Sequence, residues 1–367
     1  MKRHQLIGAQ VSLYTGKLRC YLDYKAIPYD EIVASTEVYR EVIIPRTGVQ
    51  YIPVLISDDD VAVQDTTEII DFLEARYPLA PIYPATPKQK LVALLLEIYG
   101  DEWLVLPAMH YRWNIPENTE FARQEFGRTS APDATPEAQY AIGLKTSAPF
   151  AGSLPKLGIT ELTIPAIETS YLALLGELDA HFAQHPLLLG SRPSIGDFGL
   201  IGPLYAHLYR DPASGRLMEQ HAPNVVAWIK RMIKPTALSG EFLPNDEVPD
   251  TLLPILQRMF REQGSVLKQT IDQVKSWADQ NEGPEILRAI GKAGFEIEGV
   301  QGERLTFPYM QWMWQRAADF YQELDKVSCQ EVDEMLKAIP GACELLVHPI
   351  TRRVERVGNR LMLALMN

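Results

Sequence analysis

Over the first 80 residues, short apolar runs alternate with apolar positions at helical spacing. Residues 5–10 read as a strand, and residues 15–25 as a helix with Leu18 and Leu22 on one face. A second strand follows over 29–33 and a second short helix over 37–44. Residues 52–56 and 61–63, separated by the acidic turn Asp58-Asp59-Asp60, read as a hairpin. Residues 65–77 then form a helix that turns Ile69, Phe72 and Leu73 inward.

The resulting order is β-α-β-α-β-β-α, a small mixed sheet covered by helices. Pro78, Pro81, Pro84 and Pro87 mark a linker after it, because proline cannot continue a helix. From Lys88 the pattern is helical, with one long helix over 91–113 bent at Pro107. Periodicity fades over 114–165, which reads as a long polar excursion with short helices. Helices resume over 167–182, 195–209 and 224–233, and residues 240–250 form another linker. Beyond it the pattern predicts a helix over 252–280, a hairpin turning about Gly302, and helices to the end of the chain. The expected fold class is an α/β thioredoxin-like domain (1–80), then an all-helical domain (88–240, with the insertion at 114–165), then a mainly helical extension (241–367).

Composition narrows the function. A net charge of -12 argues against nucleic acid and against anionic lipid as partners, since both need a basic surface. Cys20, Cys329 and Cys343 are too few for a disulfide framework, and no Cys/His cluster suggests a metal. Gln5 and Gln10 interrupt the first apolar stretch too early for a secretory leader. No apolar run is long enough for a membrane helix. The expectation is a soluble cytoplasmic protein without a metal.

Four local patterns carry chemistry. Val11-Ser12-Leu13-Tyr14-Thr15-Gly16 joins the first strand to the first helix. Tyr51-Ile52-Pro53-Val54-Leu55 opens the hairpin. Gln64-Asp65-Thr66-Thr67-Glu68-Ile69 begins the helix after it, and Leu73-Glu74-Ala75-Arg76-Tyr77-Pro78 ends that helix. In this order the chain resembles the glutathione S-transferase superfamily, with a serine-type motif at Ser12. The resemblance covers roughly the first 240 residues, and it is strengthened by the capping box Ser194-x-x-Asp197 in the helical domain.

Ser12 stands where a strand gives way to a helix N-terminus, a position that favours an anion. A thiol of pKa near 8.5 is only about 3% ionised at pH 7. Lowering that pKa by about two units takes roughly 2.7 kcal/mol of interaction. A serine hydroxyl and a helix end together are able to supply it. The resemblance implies that Ser12 stabilises the thiolate of glutathione. It implies further that Gln50, Ile52, Pro53 (preceded by a cis bond), Asp65 and Thr66 hold the tripeptide. On the residues alone, Ser12, Asp65 and Thr66 are equally well read as helix caps. Tyr14 is the alternative hydroxyl, and Lys17, Arg19 or Arg46 are the cations available for the glycyl carboxylate.

The second substrate, a small hydrophobic electrophile, is expected beside this site, against Tyr14, His110 and Trp113. The resemblance also implies a homodimer. Leu13 replaces the usual proline after the serine, and the loop before Pro53 is two residues longer than usual. These departures keep a second possibility open: a non-catalytic protein of this fold that uses its extension to contact a partner.

Overall fold

The computed structural model describes residues 3–365. Its first domain is a four-stranded sheet in the order β2-β1-β3-β4. β1 (His4–Gly8) pairs in parallel with β2 (Tyr29–Val33) and antiparallel with β3 (Val54–Ile56), which pairs antiparallel with β4 (Ala62–Gln64). A parallel pair needs a crossover, and helix α1 (Leu13–Tyr24) supplies it. Alternation then sorts the strands between two faces. Leu6 and Leu55, which are register partners, pack with Leu18, Ile69 and Leu73. Ile7 and Val54, one step along, pack with Ile43 on the other face.

The second domain is helical. Helix Pro87–Ile98 runs through a widened π turn, Tyr99–Trp103, into helix Val105–Asn114. The bend expected at Pro107 is therefore misplaced. Pro107 is the third residue of its helix, where the missing N–H has no intrahelical partner to lose. The irregular turn sits at Gly100 instead, where a second helix, Ile195–Pro203, crosses. A Cβ on Gly100 would lie 2.4 Å from the Gly199 carbonyl carbon, so only glycine permits this approach.

Residues 114–165 also depart from the expectation of an irregular excursion. They form helices Pro116–Ser130 and Pro136–Ala151, packed antiparallel. A Cβ on Gly127 would be 2.1 Å from the Gln139 carbonyl oxygen, and one on Gly143 2.1 Å from that of Arg123. The two helices thus meet through glycines, which leave no large-residue stripe for the periodicity to reveal.

The extension begins with helix Leu253–Gln280. Hairpin β5 (Gly291–Ile297) and β6 (Val300–Thr306) turns at Glu298 (φ 46°) and Gly299 (φ 76°), not about Gly302. Gly302 lies within β6 opposite Phe295, whose ring would be 2.3 Å from any added Cβ. After helices Tyr309–Gln322, Lys326–Leu336 and Ala342–Leu346 comes a second hairpin, β7 (Val354–Val357) and β8 (Arg360–Leu363), where the pattern predicts helix. Its turn, Gly358 (φ 57°) and Asn359 (φ 65°), has the two left-handed residues that a tight hairpin requires.

The extension does not stand apart. One apolar cluster runs from Leu6 to Leu346. Polar ties add to it: Arg316 pairs with Asp71 at 2.6 Å, Arg356 with Glu68 at 2.7 Å, and the Asn359 amide donates to the Thr47 carbonyl at 3.1 Å. These ties bring the extension over the end of the first domain where helix Thr66–Arg76 starts.

Candidate functional site

Ser12 caps α1. Its backbone is extended (φ -87°, ψ 124°), and its Oγ accepts the Thr15 N–H at 3.2 Å. Accepting that bond leaves the hydroxyl proton free to be donated elsewhere. The residue before it is fixed from outside. Arg112 Nη1 donates to the Val11 carbonyl at 2.7 Å, Nη2 donates to the Ala206 carbonyl at 2.8 Å, and Nε and Nη2 grip both oxygens of Asp211 at 2.7 Å. Arg112 and Asp211 are both buried, so the strand-to-helix turn is anchored to the helical domain by a planar bidentate pair.

The Ile52–Pro53 peptide is cis and leads into β3. Ile52 is half-buried, while Gln50 and Tyr51 are exposed, and the guanidinium of Arg288 stands 5.1 Å from the Tyr51 ring centroid. Asp65, at the head of helix Thr66–Arg76, has φ 91° and ψ 132°. A non-glycine residue at positive φ costs on the order of 1–3 kcal/mol, and such outliers cluster where a side chain must be aimed. One Asp65 oxygen caps the Thr67 and Glu68 N–H groups at 3.0 and 3.4 Å, and the other accepts the Tyr309 hydroxyl at 2.6 Å. Thr66 is buried beside it. The two helix starts lie close together, the Lys17 ammonium of one donating to the Thr67 hydroxyl of the other at 3.5 Å; burial above all, then the charges of Glu102, Asp101 and Asp65, raise the Tyr14 phenol well above its ordinary pKa.

Lys17, Arg19 and Arg46, the cations the sequence offers for a carboxylate ligand, are committed elsewhere. Lys17 is fully buried between Glu97 at 2.8 Å and Asp101 at 2.5 Å, while Arg19 pairs with Glu31 and Arg46 with Asp60. The cations at the site come instead from the extension: Arg288, Arg304 and Arg356. Sequence reasoning missed them because they lie more than 200 residues beyond the site in the chain, with no local motif around them. Tyr14 does face the site, donating to the Asp101 carbonyl at 3.0 Å. His110 and Trp113 do not join it. His110 lies across its helix from Arg112, the residue that reaches Val11, and Trp113 is turned about 100° away from it. His110 meets Glu168 at 2.9 Å and Trp113 packs on Phe126, with ring centroids 5.8 Å apart. Cys20 is buried, and burial pushes its thiol up to about 12, far from a reactive thiolate.

Two acids beside Tyr14 are held partly protonated. Burial first, then the charge of Asp101, pushes Glu102 up to about 8. Burial likewise pushes Asp101 up to about 7, against the pull of Lys17, because a single ammonium faces both Asp101 and Glu97. The sign follows directly. The native state keeps protons that the unfolded chain releases near pH 4–5, so these two acids lower stability as pH rises from about 4.5 to 8, whereas His181 and His207, which burial keeps neutral, raise it only up to about pH 6.5. We expect the melting temperature to drop between pH 7 and pH 8, above the histidine range, and Glu102→Gln to flatten that slope. A slope of opposite sign in a differential scanning series would refute the assignment.

A thioredoxin-like sheet with a helix-start serine, a cis-proline edge and a second helix start is thus joined to a helical domain. Residues 6–81 match the glutathione S-transferase N-terminal domain, and residues 162–231 match the glutathione S-transferase C-terminal domain. The chain belongs to the glutathione S-transferase superfamily. Solved structures similar to it include a glutathione S-transferase from Rhodospirillum rubrum (18% identity, 67% of this chain and 96% of that one, TM-score 0.41). Another is a glutathione S-transferase from Methylobacterium radiotolerans in complex with glutathione sulfonate (18% identity, 67% and 100%, TM-score 0.40). A third is a beta-etherase from Sphingobium sp. strain SYK-6 (17% identity, 64% and 98%, TM-score 0.44). No curated protein matches the chain.

Proposed function

We propose that this protein binds glutathione and activates its thiolate for attack on a small electrophile. The supporting observation is Asp65, held at φ 91° at the head of one helix and close to the start of the helix that Ser12 caps. In this reading the Ser12 hydroxyl donates to the sulfur, and the N-terminal end of α1 favours the same negative charge. The backbone of Ile52, set by Pro53, pairs with the cysteinyl unit as an added strand would. Asp65 takes the α-ammonium, Thr66 the γ-glutamyl carboxylate, and Gln50 lies towards the glycyl end. Tyr14, rather than His110 or Trp113, borders the second substrate.

The experiment is retention on immobilised glutathione, followed by conjugation of a small aryl chloride read by absorbance. Retention with turnover supports the reading, and no binding at millimolar glutathione removes it. The homodimer that accompanies this reading is checked by light scattering. One observation favours a protein without glutathione chemistry: the Tyr309 hydroxyl already bonds the Asp65 oxygen that an ammonium would use. Under that alternative, immobilised glutathione retains neither the wild type nor Tyr309→Phe.

A further inference from the structure

Hairpin β5–β6 turns alternate residues inward, and on β6 the inward pair nearest the site is Arg304 and Thr306. Both are buried, Arg304 at 2% exposure. The hairpin docks on the π turn of the helical domain: Phe295 meets Trp103 edge-on at 5.7 Å, and the Arg304 guanidinium lies over the same indole at 5.6 Å. Trp103 is itself pinned, its Nε1 donating to Glu262 at 2.9 Å. The guanidinium is therefore rigidly placed.

It is also unpartnered. Arg304 Nε and Nη1 have no hydrogen-bond partner, the Thr306 hydroxyl has none, and Arg304 forms no ion pair among the described residues. Glu102 and Tyr14 attract it through space, but no hydrogen bond joins either to it. A buried cation without a counterion is among the most costly arrangements a fold can hold. The other buried cations among the described residues, Lys17, Lys25, Arg112 and Arg258, each have carboxylates in contact.

We propose that Arg304 and Thr306, facing Tyr14 and Glu102, form the subsite for the second substrate, and that this substrate carries a carboxylate. The proposal rests on the glutathione reading only for the word substrate; the anion subsite itself does not need it. A carboxylate accepts two N–H bonds from the guanidinium in its plane, and Thr306 donates a third. Glu102, protonated near neutrality, does not repel such a ligand and has a proton to donate to it. For an aryl chloride bearing an acid, the thiolate forms the carbon–sulfur bond, the carbon–chlorine bond breaks, and chloride leaves. The thiol proton has gone to solvent beforehand.

The test uses the full chain and two matched probes, 4-chloro-3-nitrobenzoate and the neutral 4-chloro-3-nitrobenzamide. Calorimetry without glutathione should show the benzoate binding about 10- to 100-fold more tightly, the range expected for charge-assisted bonds. Arg304→Gln should erase that preference and raise the melting temperature, because the uncompensated buried charge is gone, while leaving benzamide binding essentially unchanged, and Arg304→Lys should restore part of the preference. With glutathione present, Arg304→Gln should raise KM for the benzoate but leave KM for glutathione alone. Equal binding of both probes by the wild type, or an unchanged preference in Arg304→Gln, would show that buried water satisfies the arginine and would overturn the proposal. So would a loss of glutathione affinity in place of benzoate affinity. Benzoate selectivity without any glutathione turnover would keep the anion subsite and discard the conjugation reading instead.

Discussion

Ser12→Ala is expected to lower kcat/KM for glutathione conjugation by about 10- to 100-fold at pH 7, the equivalent of the 1.5–3 kcal/mol carried by one hydrogen bond to a charged group. The Oγ has two separate roles that the experiment must keep apart. As an acceptor it caps α1 through the Thr15 N–H, and losing that bond costs about 1 kcal/mol of stability. As a donor it would lower the thiol pKa, which appears only in the pH–rate profile of the glutathione complex. The decisive readout is therefore the pH at which kcat/KM is half-maximal. It should move upward by one to two units in Ser12→Ala, and the variant should recover activity above about pH 9. Ser12→Thr keeps both roles and should stay within severalfold of the wild type. If Ser12→Ala merely melts earlier, with its pH profile unmoved, the hydroxyl is a cap and nothing more.

Arg112→Met should destabilise the fold by about 3–5 kcal/mol, the usual effect of removing one partner from a buried ion pair. Asp211 would be left buried with its main counter-charge gone, and the carbonyls of Val11 and Ala206 would lose their donors. The double change Arg112→Met with Asp211→Leu should regain much of the loss, since the penalty lies in the orphaned carboxylate and less in the missing attraction. Urea unfolding of the four proteins gives the coupling directly. Additive losses would mean the pair is weaker than its geometry indicates. Arg112→Lys keeps the charge but loses the fork, so it should fold. It should also raise KM for glutathione, because the Val11 carbonyl that positions Ser12 is no longer held in plane.

What could be read from the sequence follows the range of the interactions. Ser12, Pro53, Asp65 with Thr66, and Ser194 with Asp197 sit in short segments whose backbone needs are written in a few neighbouring residues. Their place at strand ends and helix starts was legible for that reason. The glycine-to-glycine crossing of Gly100 and Gly199 was not, because close approach is signalled by a missing side chain on two distant segments. The paired helices over 116–151 stayed hidden for the same cause. The last hairpin was missed although Gly358-Asn359 is a turn pair, because four-residue strands show too little alternation to stand against a helical neighbourhood. Hardest of all were Tyr309, Arg304 and Arg356, whose relation to Asp65, Glu102 and Glu68 exists only once the chain has folded back across more than 200 positions.

That return has a consequence for how the molecule is made. The two domains shared with the superfamily are synthesised before the extension, and until it follows, Glu68 and Asp71 still await Arg356 and Arg316. The mouth of the thioredoxin-like domain is finished by a segment made only after the helical domain is complete. Protease should therefore cut near Asp65 in a released chain that ends before Arg316 and spare that site in the full chain.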